Sequence, residues 1–154
     1  MNLFRGVQTG RVDEKGRLKF PAHVQQQLEE KFPGSTVFIT SLDGLTVKVF
    51  PISLWEAVEA TLSQKSIEGK ENDGEIKNKI LFQANRFGSE ESLDNQGRIL
   101  VPAVLRETAG MRGEVKLMWQ NNHIIVLNAK NYEEAAVRND LSTDELKHAA
   151  NLGV

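Results

Sequence analysis

The sequence predicts an α+β fold made of two tandem copies of one β-rich unit that share a core. Three observations carry that expectation. A nine-residue motif, Asp13-Glu14-Lys15-Gly16-Arg17-Leu18-Lys19-Phe20-Pro21, returns 81 positions later as Asp94-Asn95-Gln96-Gly97-Arg98-Ile99-Leu100-Val101-Pro102. Both copies read Asp-x-x-Gly-Arg, then an aliphatic residue, one further residue, an apolar residue and proline; a repeat of this kind decides architecture before any other feature. Each copy is also embedded in the same order of strand, turn, strand, helix, β-hairpin and helix. Finally, a unit that small cannot cover its own apolar strands, whereas 154 residues with 40% hydrophobic content can build one packed core. The two units are therefore expected to form an intrachain pseudo-dimer.

Val7 to Val12 reads as a first strand. Asp13-Glu14-Lys15-Gly16 has the signature of a type I turn, with Asp at its first position and Gly at its fourth. Arg17-Leu18-Lys19-Phe20 alternates as a half-buried strand does, and Pro21 suits the first position of a helix. Val24, Leu28 and Phe32 follow at helical spacing until Pro33-Gly34. Thr36–Thr40 and Leu45–Phe50 are β-branched and aromatic, with Asp43-Gly44 as a hairpin signal between them. Ser53-Leu54-Trp55-Glu56 is a capping-box pattern that places a helix from about Leu54 to Leu62. Ser63 to Gly74 is polar and reads as a linker, and Glu75 to Asn85 as a second linking helix.

The second half repeats the plan. Phe87 to Leu93 is expected to be a strand, Asp94 to Gly97 a turn, Arg98 to Val101 a strand, and Pro102 the opening of a helix that stops at Gly110. Glu114–Trp119 and His123–Leu127 are expected to pair around Gln120-Asn121-Asn122. Tyr132 to Val137 reads as a helix, and Ser142-Thr143-Asp144-Glu145 as a second capping box before a last helix. The resulting division is residues 7–53, linking helices 54–85, residues 86–129, and a helical tail 130–154.

Composition limits the function. Charged residues make up 26% and the net charge is −2, which argues against a protein that coats nucleic acid over its whole surface but allows a local patch. The first 20 residues hold such a patch: Arg5, Arg11, Lys15, Arg17 and Lys19 against Asp13 and Glu14. The absence of cysteine rules out a disulfide framework, a thiol nucleophile and thiolate metal sites. The opening Met-Asn-Leu-Phe-Arg-Gly-Val lacks the apolar stretch of a signal peptide, and no apolar run approaches the roughly 20 residues that span a bilayer. A cytoplasmic protein is expected. His23, His123 and His148 lie in unlike contexts, so no metal site or cofactor is expected. No phosphate-binding glycine loop or Ser/His/Asp arrangement is evident, so neither is an enzyme. Trp55, Trp119 and Tyr132 are read as core or interface residues.

The doubled Asp-x-x-Gly-Arg-aliphatic-x-apolar-Pro motif, each copy followed by a helix, resembles the swapped-hairpin DNA-binding domain of the AbrB and SpoVT class. Together with Phe4-Arg5-Gly6 near the start and the Leu105-Arg106-Glu107-Thr108-Ala109-Gly110 run, it is similar to the MraZ family over nearly the whole chain. That resemblance implies two AbrB-like β-barrel units, 7–53 and 86–129. It implies a nucleoid-associated transcription regulator that forms ring-shaped homo-oligomers. It further implies binding of direct repeats in double-stranded DNA upstream of the division and cell-wall gene cluster, usually as a repressor that includes its own promoter. It also implies DNA contact at Arg17. The helix after Pro21 departs from the family: it begins Ala22-His23-Val24-Gln25 where basic residues are often found, which leaves phosphate contact from it in question.

The residue chemistry suits the implied role. A hairpin tip presenting Lys15 and Arg17 can reach a groove edge, where arginine bonds guanine bidentately and either cation neutralises phosphate. Asp13, four residues before Arg17, can hold the guanidinium and the turn in one geometry. The opposing reading is that Asp13 and Arg17 only pin the loop. Arg5 adds charge to the same segment. Asp94 and Arg98 form the twin tip, which has Gln96 in place of Lys15 and is expected to be a weaker reader. The alternative function is an antitoxin-like interaction module of the same fold with a toxin as partner. No small-molecule substrate is suggested.

Overall fold

A computed structural model describes residues 2–64 and 73–154. Residues 65–72 of the expected linker, including Lys65, Glu68, Lys70 and Glu71, lie outside the described residues. The elements in chain order are β1 (Val7–Val12), β2 (Arg17–Lys19), α1 (Ala22–Lys31), β3 (Thr36–Thr40), β4 (Val47–Pro51), α2 (Ile52–Leu62), α3 (Asp73–Phe87), β5 (Ser89–Ser92), β6 (Arg98–Leu100), α4 (Ala103–Thr108), β7 (Gly113–Gln120), β8 (His123–Asn128), α5 (Ala129–Arg138) and α6 (Thr143–Asn151). The fold is α+β, as expected, with eight antiparallel strands in one sheet ordered β5-β3-β4-β8-β7-β1-β2-β6. The outer strands β5 and β6 approach each other, so the sheet nearly closes into a barrel.

The pairing is exchanged between repeats. β1 of the first repeat pairs with β7 of the second, Val7 opposite Met118 through Val12 opposite Gly113. Its counterpart β5 pairs with β3 of the first repeat. At the centre of the exchange, β2 and β6 pair as a two-stranded ribbon with Leu18 opposite Ile99. The ends of that ribbon are closed reciprocally: Val101 N–H donates to Gly16 O at 2.8 Å and Phe20 N–H to Gly97 O at 3.1 Å. Neither repeat completes its sheet alone, because each contributes strands to the other.

The main core follows the repeat. Leu18, Phe20 and Val24 of the first copy and Ile99, Val101 and Leu105 of the second are all buried in it, with Val49, Leu117, Ile124 and Val126 from the paired hairpins. A smaller cluster joins Phe38, Phe50, Trp55 and Ala84, where the Trp55 ring stacks on Phe38 at 4.6 Å. Thr40 Oγ1 donates to Ala84 O at 2.6 Å and ties the end of α3 to β3. No helix among the described residues is long and apolar enough to cross a membrane.

Several local expectations are corrected. Pro21 and Pro102 hold the cap positions of α1 and α4 and not their first turns; their ψ values of 151° and 138° are extended. The capping box at Ser53 does not form, because α2 begins at Ile52 directly after Pro51 and has no side-chain cap. Proline at the cap fixes the entry angle without one. The box at Ser142 does form, with both reciprocal bonds to Glu145. Phe87 ends α3 instead of opening a strand; its ring is buried in the core, with the Arg86 guanidinium 4.6 Å from its centre. Asp43-Gly44 lies within a longer loop over 41–46, where Asp43 Oδ1 accepts the N–H groups of Leu45 and Thr46, both at 2.9 Å.

Candidate nucleic-acid interface

The two motif copies fold into the same tip. In the first, Asp13 Oδ1 accepts the backbone N–H of Lys15 at 3.0 Å and of Arg17 at 2.9 Å. Its Oδ2 accepts Arg17 Nε–H at 2.8 Å. In the second, Asp94 Oδ1 accepts from Gln96 and Arg98, both at 2.9 Å, and Oδ2 from Arg98 Nε at 2.8 Å. Gly16 and Gly97 close the turns by donating to Asp13 O and Asp94 O, both at 3.0 Å. Their φ values of 82° and 72° explain the glycines. Both aspartates are held below the usual carboxylate range, chiefly by the backbone N–H of Arg17 and of Arg98 and then by the guanidinium of the same residue. Each arginine is thus gripped through Nε, and its terminal nitrogens form no hydrogen bond or ion pair among the described residues.

Strand register brings further cations to the same place. Arg17 lies opposite Leu100 and Lys19 opposite Arg98 in the ribbon, and Arg11 lies opposite Lys19 across β1. Residues directly opposite share a face, as do residues two apart on one strand. Leu18, Ile99 and Val12 point into the core, so Arg11, Arg17, Lys19 and Arg98 share the outer face. Four cations drawn from both repeats therefore form one strip, with Leu100 among them and Glu114 at its border opposite Arg11. Sequence reasoning singled out Arg17 and Arg98 but did not place Lys19 and Arg11 beside them. The alternation in Arg17-Leu18-Lys19 carried that signal; the cross-repeat pairing that uses it is non-local. Lys15 is exposed at the first tip. Arg5 is exposed but precedes the far end of β1, on the order of 20 Å from the turn by strand rise, so it is not brought to the tip.

Beside the first tip lies a groove of about 680 Å³ lined by Arg11, Asp13, Glu14, Arg106, Glu107 and Arg112, among others. Arg106 reaches the turn from α4 of the second repeat, and its Nη1 donates to Lys15 O at 3.4 Å. Trp55 is buried in the smaller core cluster, and Trp119 and Tyr132 are half-buried. Among the described residues no group of three or more His, Asp or Glu side chains is placed to hold a metal ion.

Residues 88–152 match a family described as "MraZ protein, putative antitoxin-like". The chain is 35% identical over 152 residues to a protein of Acidobacterium capsulatum named "Transcriptional regulator MraZ", covering 99% of this chain and 100% of that one. A protein of the same name from Koribacter versatilis is 32% identical with the same coverage. One from Escherichia coli is 28% identical over 144 residues, 94% of this chain and 91% of that protein.

Proposed function

The chain belongs to the MraZ family of transcriptional regulators, and we propose that it binds double-stranded promoter DNA in a sequence-specific way through the outer face of the β2–β6 ribbon. The observation that carries this reading is the strip of Arg11, Arg17, Lys19 and Arg98 across the two exchanged hairpins. A two-stranded ribbon fits a major groove, and a run of cations on its outer face supplies phosphate neutralisation. Asp13 grips Arg17 at Nε and leaves its forked end for a guanine edge or a phosphate, with little freedom left to lose on binding. Lys15 at the tip adds a phosphate contact, and Arg5 contributes charge at a distance. The Asp94–Arg98 tip takes a lesser share, with Gln96 where the first has Lys15.

The target is the DNA upstream of the division and cell-wall gene cluster, where the protein acts as a repressor that includes its own promoter. Copies assembled as a ring repeat their tips at fixed spacing and in one sense, which matches direct repeats and raises weak single contacts to useful avidity. Unburied apolar residues on the terminal helices, Val137, Leu146 and Leu152 among them, supply surface for that assembly. The functional units are residues 7–53 and 86–129, and the protein works in the cytoplasm on the nucleoid as a regulator and not an enzyme. The alternative, an antitoxin-like module of the same fold, draws on the description of the matching family; copurification of a small toxic partner would favour it.

Footprinting on the DNA just upstream of the protein's own gene tests the reading. The protein should protect repeated short sites, with affinity falling steeply as salt rises. Arg17→Ala should keep its fold and assembly size while losing specific protection, each lost base contact being worth about 1–3 kcal/mol per tip. A variant that still protects the repeats at low and high salt would refute the ribbon as reader.

A further inference from the structure

The two tips share every bond within the motif, yet different side chains cover their turn glycines. Gln25 of α1 and Arg106 of α4 occupy equivalent positions, 81 residues apart. Each crosses to the other repeat: Gln25 lies against Gly97 and Arg106 against Gly16. A Cβ added at Gly16 would fall 2.5 Å from both Cδ and Nη1 of Arg106, so this glycine serves the arginine as well as the turn. The bonds then diverge. Arg106 Nη1 donates to Lys15 O, within the turn it covers, at 3.4 Å. Gln25 Nε2 donates to Phe20 O at 2.5 Å, outside the turn it covers.

Arg106 carries a cost that Gln25 does not. Its Nε is buried without a hydrogen-bond partner among the described residues, a condition that calls for an explanation. Anion binding is a poor one. The groove beside it is lined by Arg11, Arg106 and Arg112 but equally by Asp13, Glu14 and Glu107, so cations and anions balance. The contact that the guanidinium does make is with the turn itself.

We propose that Arg106 is a positioning residue: reaching from the second repeat, its guanidinium fixes the Lys15–Gly16 turn of the first and so sets the direction in which Lys15 and Arg17 meet DNA. The inference rests on the reading of the first tip as the DNA-facing one. It gives that tip a physical advantage over its twin, whose covering side chain is neutral and bonded elsewhere.

Amide hydrogen exchange at Lys15 and Gly16, with promoter-DNA affinity measured against salt, decides it. Arg106→Gln should speed exchange at both amides about tenfold and weaken DNA binding about tenfold. The slope of log affinity against log salt should stay that of the wild type, because no phosphate contact is removed. Arg106→Lys should behave in the same way, since it keeps the charge but lacks the planar fork. Gln25→Ala should leave Lys15 and Gly16 unchanged. Unaltered exchange in Arg106→Gln, or a slope reduced as far as in Arg17→Ala, overturns the proposal. If the wild-type protein fails to bind the promoter, the functional reading falls, while the exchange arm still decides whether Arg106 holds the turn.

Discussion

His123 shows how one buried side chain can set a pH dependence separate from the tips. It opens β8 with 7% exposure, and its ring lies 4.9 Å from that of Phe50. Nδ1 meets Asn122 Oδ1 at 2.8 Å, while Nε2 is buried with no partner among the described residues. Burial, and then the nearby Lys48 charge, lower its pKa from 6.5 to about 4. The folded state therefore resists a proton that the unfolded chain accepts. Stability should be unaffected by this group above pH 6.5, should fall as pH drops from 6.5 toward about 4, and should lose nothing more to it below that. Asp13 and Asp94 act in a lower window. Their folded pKa values lie below 3.8, so their contribution is whole above 3.8 and is lost as pH falls through the lowered values. Urea midpoints measured at pH 7, 6, 5 and 4 test the assignment. His123→Phe should flatten the decline between pH 6.5 and 4, and an unchanged decline would place its origin elsewhere.

At the scale of elements, the ribbon joining β2 and β6 is the point on which both repeats depend. Leu18 and Ile99 face each other at its centre with 0% and 2% exposure. Leu18→Ala should cost about 2–5 kcal/mol, the range for truncating a buried leucine. Because the exchanged strands make one sheet, the loss should appear in a single cooperative transition. Two separate transitions in urea, followed by tryptophan fluorescence and circular dichroism, would show that the repeats fold independently. The sequence exposed much of this level because the tips and hairpins are local: Asp13 to Gly16 and Asp94 to Gly97 carry their turn chemistry within four residues. The exchange of β1 and β5 is different. Two repeats of one plan offer partners of the same kind, so no periodicity selects β7 over β3 for β1, and the swap was legible only through family resemblance. Local signals also failed where a neighbour overrode them. Ser53 has the same box pattern as Ser142, but Pro51 starts α2 first. Ser89-Glu90-Glu91-Ser92 has little strand character, and becomes β5 by pairing with β3. The basic strip was legible only in part, since Lys19 and Arg98 meet through that same non-local pairing.

For the molecule as a whole, the terminal helices are the part that lies outside the buried core. Neither α5 nor α6 has a buried residue, and Leu146 and Leu152 are 55% and 68% exposed. A helix with both bonds of its capping box, and with leucines at Leu146 and at its C-terminal cap Leu152 that no described residue buries, is suited to a neighbouring copy. Replacing Leu146 and Leu152 together by glutamate should leave the fold in place, because exposed positions of this kind change stability by only about 0.5 kcal/mol. If α6 supports the ring, the double variant should lose mass by light scattering and fall to a smaller species. Its DNA affinity should then drop by about 10²–10⁴ through lost avidity, while a single tip keeps its intrinsic contact. The two effects must move together: the concentration at which assembly fails should coincide with the concentration at which repeat binding fails. A variant that keeps the wild-type mass removes α6 from the interface. One that loses mass yet binds the repeats undiminished would show that a single ribbon, with Arg17 and its neighbouring cations, already holds the full affinity.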